Sequence, residues 1–241
     1  MIDSPKPLEY ESSFQTRGTD HYAGGPAGSG KSSTAKAVAK RLGFRHLDSG
    51  ALYRALTLGL LRSSVVEADW ENLSEQGFAN LDIDLETSEN GFQVLIRGEA
   101  VDSELRTPGV TDRVSFVASL PASRQSILGL QRKAGEDGGL VADGRDMGTV
   151  IFPHAELKIY LIADLEERAM RRLREMGEDS PDDLGLAQQA RALDTRDQSD
   201  SQRAISPLKK AEDAIELDTT GLAFEEQVQA IVDLAHRLTL L

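Results

Sequence analysis

The chain has 241 residues, 39% hydrophobic and 28% charged, with a formal net charge of −13. That length suits one sizeable α/β domain with insertions. The absence of cysteine excludes disulfides, thiolate catalysis and cysteine-held metals; the acidic balance lacks the basic excess of a general nucleic-acid binder; and no apolar run approaches the ~18 residues of a membrane span.

Residues 1–17 are polar, carry Pro5 and Pro7, and read as a disordered tail with no secretory h-region, so a cytoplasmic location is the default expectation. The stretch HYAGGPAGSGKSSTAKAVAKRLG (21–43) follows. Thr19, Asp20 and His21 are poor residues for a buried central strand, so a short or badly packed strand is expected there, with weakened stability before lost chemistry. Ala35, Val38, Ala39 and Leu42 then recur with helical period, and Gly43 is a stop signal. FRHLDSG is short and extended, and ALYRALTLGLLR is a second helix. Residues 65–80 are acidic and contain a short helix.

Leu81, Ile83 and Leu85 alternate with acids, SENG is a turn signal, and Phe92, Val94 and Ile96 alternate again: a β-hairpin inserted in an α/β chain. Residues 112–134 return to helix. GGLVADGRDMG is a short buried strand ending in a polar loop, and ELKIYLIA is another strand. DLEERAMRRLREM opens with Asp164 and Glu167 in capping-box spacing. Residues 177–203 are polar, lose apolar periodicity after Ala192, and read as mobile. DAIELD is the last strand, and Phe224, Val228, Ile231, Leu234 and Leu238 mark a final helix. Strands alternating with helices imply a parallel sheet with helices on both faces.

GPAGSGKS fits the pattern G-x-x-x-x-G-K-[ST], a loop that wraps nucleotide phosphates. Gly25, Gly28 and Gly30 let the backbone turn its N–H groups toward one anion, and the following helix adds its positive end. Lys31 reaches the β- and γ-phosphates, and Ser32 binds Mg2+. The four histidines follow no ligand spacing and read as structural or surface residues. No N-K-x-D motif is present, which argues against a guanine-nucleotide switch.

After the loop come LDSGALYRA (47–55), DGRDMGTVIFP (143–153), EERAMRR (166–172) and RDQSDSQRAISPL (196–208), in that order. With them the chain resembles the bacterial cytidylate kinase (CMP/dCMP kinase) family of P-loop nucleoside monophosphate kinases, from about Gly25 to the C-terminus. The resemblance implies the P-loop kinase fold: a parallel sheet flanked by helices, an inserted β-containing monophosphate-binding subdomain, and a mobile lid. It implies a kinase domain over 18–241, with its core at about 18–65, 115–168 and 204–241, the insertion at about 66–114 and the lid at about 169–203. The implied reaction moves the γ-phosphate of ATP to CMP or dCMP, with Mg2+.

The same resemblance assigns the residues. Gly25, Pro26, Ala27, Gly28, Ser29, Gly30, Lys31, Ser32 and Ser33 would hold ATP, with Arg171 and Arg172 facing it across the lid. Ser49, Tyr53 and Arg54 would line the monophosphate site, and Arg145 would hold the acceptor phosphate. Asp146, with Ser115 and Arg124, would read the base. Arg196 and Asp200 would touch the ribose, and Arg203 the transferring phosphate. Lys31, Arg145 and Arg203 would be the catalytic cations, and Ser32 and Asp143 would hold Mg2+ or its water. A monomer acting on small nucleotides, without nucleic acid or membrane, is expected. A kinase of another small acceptor, or a non-productive ATP-binding relative, are the alternatives. One departure is Gly24, where the family usually carries Asp or a similar residue before the first loop glycine.

Overall fold

The computed structural model describes residues 21–89 and 91–239; the tail at 1–17, Thr19, Asp20 and Asn90 of the expected SENG turn lie outside them. Among the described residues, five parallel strands form one sheet, in the order β2 (Arg45–Asp48), β6 (Leu140–Asp143), β1 (His21–Gly24), β7 (Leu157–Ile162) and β8 (Ile215–Asp218). β3 (Ile83–Ser88), β4 (Gly91–Ile96) and β5 (Glu99–Ala100) form a small antiparallel sheet.

The suspect segment occupies the centre of the main sheet. The described residues of β1, His21–Gly24, are all buried, and His21 packs its ring against Phe44 at 5.5 Å between centroids. Gly24 has a specific reason to lack a side chain: a Cβ there would lie 1.8 Å from the Tyr22 hydroxyl oxygen, because the phenol folds over it. The departure at Gly24 and the bulk of Tyr22 therefore belong together.

One face of the sheet carries α1 (Lys31–Leu42) and α8 (Phe224–Thr239), which bury Val38, Ala39, Val228 and Ile231 against Ile159 and Leu161. Gly43 closes α1 in the left-handed region at φ 70°, donating its N–H to the Ala39 carbonyl. α8 turns Val228 and Ile231 inward, while Phe224 and Leu238 are exposed. The other face carries α2 (Ser49–Arg62), capped by the Asp48 side chain, which accepts from the Ala51 N–H at 3.1 Å.

A short 3₁₀ turn (Glu67–Asn72) and α3 (Glu75–Ala79) bury Trp70 and Phe78 under the small sheet. In that hairpin Ile83 faces Ile96 and Leu85 faces Val94, so the apolar alternation turns toward the core. Leu81 lies before the strand, and β5 adds a third, unexpected strand.

The segment 112–134 is helical as expected and falls in two pieces, α4 (Pro108–Val117) and α5 (Pro121–Ala134). Pro121 supplies no N–H and so starts the second helix at its first position. Asp164 stands at the start of α6 (Leu165–Glu175), but its side chain caps nothing. Its N–H donates to Thr220 Oγ1 at 3.0 Å, and Glu167 accepts from Arg171 instead of forming a capping box. Within the polar stretch 177–203, residues Asp183–Ser201 form the 19-residue helix α7. Asp182 caps it through the Gly185 N–H at 2.7 Å.

Candidate active site

The C-terminal ends of β1, β2 and β6 deliver the phosphate loop, Asp48–Ser49 and Asp143–Asp146 to one edge of the sheet, where crevices form in open α/β folds. The loop turns at Gly25, with φ 137°; a Cβ there would lie 2.1 Å from the Leu161 carbonyl oxygen, so only glycine fits. Lys31 bends back over the loop, donating to the Pro26 carbonyl and, at 3.4 Å, to Ser29 Oγ. Burial, then the nearby Arg145, pulls its pKa well below the ordinary lysine value. Ser32 Oγ donates to Asp143 Oδ2 at 2.5 Å, and His46 Nε2 lies 2.8 Å from Asp143 Oδ1.

A cavity of about 490 Å³ opens above this edge. Ala27, Gly28, Gly30, Lys31, Ser32 and Ser33 line it from the loop side, and Ser49, Tyr53, Arg54, Ser115, Arg124 and Asp146 also line it. Asp143, Arg145, Arg172, Arg196, Asp200 and Arg203 complete the expected set. Among the described residues, eight basic and five acidic side chains line the cavity, in a chain whose net charge is −13. Positive charge is thus concentrated locally, as an anion site requires.

The cations are held in defined positions. Arg145 donates from Nε to Asp200 Oδ2 at 2.6 Å and from Nη1 to the Gly25 carbonyl at 2.9 Å. Arg203 pairs with the other oxygen of Asp200, which is 1% exposed, and reaches the Ser115 carbonyl at 3.4 Å. Arg54 donates to the Leu105 carbonyl and to Thr111 Oγ1, both at 3.0 Å. Arg124 pairs with Asp146, donates to the Ala118 carbonyl at 2.8 Å, and lies 5.1 Å over the Tyr53 ring. Arg196 has a buried Nε without a hydrogen-bond partner; burial, and then Arg145, pulls its pKa down to about 10. Such a donor is a natural contact for a polar ligand.

Gly25, Pro26, Ser29 and Arg171 do not line the cavity. Ser29 is wholly buried in the loop, and Arg171 turns to Thr219, donating to its hydroxyl at 3.0 Å and its carbonyl at 2.7 Å.

Several contributors were assigned no role from the sequence. Gln131 donates to Ser49 Oγ at 2.7 Å and so fixes it from α5. Asp197 accepts from the Ala27 N–H at 2.7 Å and pairs with Arg168, which donates to the Ala27 carbonyl at 2.9 Å. This clasp seats α7 on the phosphate loop. Asp197 lies inside the RDQSDSQRA motif next to Arg196, which was its only available cue.

A parallel sheet with a phosphate loop at its carboxyl edge, opening into a cation-lined cleft, is the arrangement of a phosphate-loop kinase. The cytidylate kinase family model matches residues 23–237. Cytidylate kinases from Geobacillus sp. and Chloroherpeton thalassium are 45% and 44% identical to it, each over 88% of this chain and 94% and 90% of their own. A cytidylate kinase from Bacillus cereus is 44% identical over 87% of this chain and 92% of its own. The chain belongs to the cytidylate kinase family.

Proposed function

We propose that the protein transfers the γ-phosphate of ATP to CMP or dCMP, giving ADP and CDP or dCDP, in pyrimidine nucleotide metabolism. The observation that carries this reading is that one cleft contains both the loop lysine Lys31 and the buried, hydrogen-bonding pair Arg124–Asp146. Phosphoryl transfer asks for in-line positioning and positive charge more than covalent chemistry. The acceptor phosphate is already an anion, so no side chain has to act as nucleophile.

In this reading the loop N–H groups and Lys31 hold the donor phosphates, with Arg172 on the lid side. Arg145 holds the acceptor phosphate and Arg203 the transferring group; Arg54, Ser49 and Tyr53 wall the monophosphate site; Arg196 and Asp200 meet the ribose. Ser32 and Asp143 suit Mg2+, because a hydroxyl and a carboxylate 2.5 Å apart are hard oxygen donors. Among the described residues no cluster of three His, Cys, Asp or Glu side chains could hold a metal, in keeping with an ion shared with phosphates and water. When bound, that ion neutralises charge on the phosphate oxygens.

The stretch 66–114 serves as the monophosphate-binding insertion and 169–203 as the lid, whose closure excludes water and prevents wasteful ATP hydrolysis. No helix among the described residues is long and apolar enough to cross a membrane. We place the protein in the cytoplasm as a monomer acting on small nucleotides without nucleic acid or a membrane.

Cytosine offers its N4 amine as donor and N3 as acceptor, and uracil reverses both. Asp146, with Ser115, accepts from N4, and Arg124 donates to N3. Asp146→Asn is the test: kcat/KM for CMP should fall far more than that for UMP, collapsing the ratio. An equal fall for both nucleotides would remove the base-reading role.

A further inference from the structure

We propose that His46 is a positioning residue for the divalent-cation site, holding the Asp143 carboxylate in the orientation that Ser32 shares. The inference rests on the reading of Ser32 and Asp143 as the Mg2+ holders.

Asp143 ends a central strand and is 3% exposed, so its carboxylate needs donors to remain ionised there. Among the described residues two side chains supply them: Ser32 on Oδ2 at 2.5 Å and His46 on Oδ1 at 2.8 Å. A carboxylate only accepts, so His46 Nε2 carries the proton in this contact. The two donors are not equivalent. Ser32 has a second task, because its oxygen is also the hydroxyl that a phosphate loop offers to the metal. Among the described residues the His46 side chain makes no hydrogen bond other than this one.

The strands dictate the placement. β2 and β6 run parallel with His46 opposite Val141 and Asp48 opposite Asp143, so His46 and Asp48 lie two residues apart on the face that meets Asp143. His46 therefore reaches the Asp143 carboxylate from the neighbouring strand, where Asp48 is a second carboxylate. Outer partners of this kind orient a metal-holding carboxylate, and their loss typically costs ~10–100-fold in metal affinity or activity.

The test measures equilibrium binding of a non-hydrolysable ATP analogue by calorimetry, with EDTA and across a Mg2+ series, with no acceptor present. The variants are H46L, which cannot donate, and H46Q, whose amide nitrogen can replace Nε2. The wild type should bind the analogue more tightly with Mg2+. H46L should raise the half-saturating Mg2+ concentration ~10-fold or more, leave metal-free affinity unchanged, and be largely rescued in H46Q. If H46L fails to fold, H46N, polar but too short to reach Asp143, carries the same expectation. An unchanged Mg2+ dependence, or equal weakening with and without Mg2+, overturns the proposal. A wild type indifferent to Mg2+ overturns the underlying assignment of Ser32 and Asp143, and the proposal falls with it.

Discussion

Arg124 and Asp146 form an ion pair whose side chains are 7% and 2% exposed, joining α5 to the loop after β6 at the wall of the cleft. Removing one partner of such a pair leaves an uncompensated buried charge and costs about 3–5 kcal/mol. Asp146→Ala should therefore lower the unfolding free energy by about that amount, measured by denaturant titration. Asp146→Asn keeps an acceptor oxygen and should cost less, which makes it the better probe of base selection. A fully stable Asp146→Ala protein would mean that Arg124 is satisfied without its partner.

Lys31→Ala should abolish most transfer and leave the fold intact. The loop N–H groups remain, but the cation that follows the γ-phosphate is gone; losing one such preorganised group costs roughly 10²–10³ in kcat. Because burial disfavours the charged lysine, the variant should melt at or slightly above the wild-type temperature. Steady-state kinetics and a thermal scan measure both, and near-normal turnover would rule out this role for Lys31.

Gly24 and Tyr22 should be coupled. Gly24→Ala forces a Cβ into the Tyr22 phenol and should destabilise by about 1–3 kcal/mol, the usual range for overpacking. Combined with Tyr22→Ala, the same change should cost much less, so the double-mutant cycle should be strongly non-additive. Simple additivity would show that the phenol moves aside freely.

The start of α8 is half-built as a capping box. Glu226 Oε2 accepts from the Ala223 N–H at 3.0 Å, and the Ala223 carbonyl accepts the first helical bond, from Gln227 N–H at 3.1 Å. Ala223 has no side-chain oxygen to accept from the Glu226 N–H in return. Ala223→Ser should stabilise the protein by ~0.5–2 kcal/mol. Thr220 does not already fill the role, since its hydroxyl accepts from the Asp164 N–H. No gain in melting temperature would count against the cap.

What could be read in the sequence is what short, contiguous segments encode. The phosphate loop, Asp143 and the Arg145–Asp146 pair each sit within a few residues of a strand end, so motif and location coincide. His46–Asp143 and Ser49–Gln131 could not be read that way: they join positions 97 and 82 residues apart, and only strand register and helix packing bring them together. α7 was missed for a different reason. It buries little beyond Leu193 and Asp200, so it lacks an apolar stripe, and a good cap with helix-forming Ala, Leu, Gln and Arg residues has to identify it. At Gly24 the sequence showed a departure from the family's usual residue; its reason lies in the Tyr22 side chain, which a residue-by-residue comparison treats as a separate position.

The central claim is acceptor choice, and a coupled ADP-release assay tests it directly with ATP, Mg2+ and, in turn, CMP, dCMP, UMP, AMP and shikimate. CMP and dCMP should be phosphorylated efficiently, with UMP disfavoured by up to ~10⁴-fold in kcat/KM because it leaves the Asp146 and Arg124 groups unpaired, and AMP and shikimate slower still. Comparable kcat/KM for UMP or AMP, or no ADP release with CMP, would contradict the account.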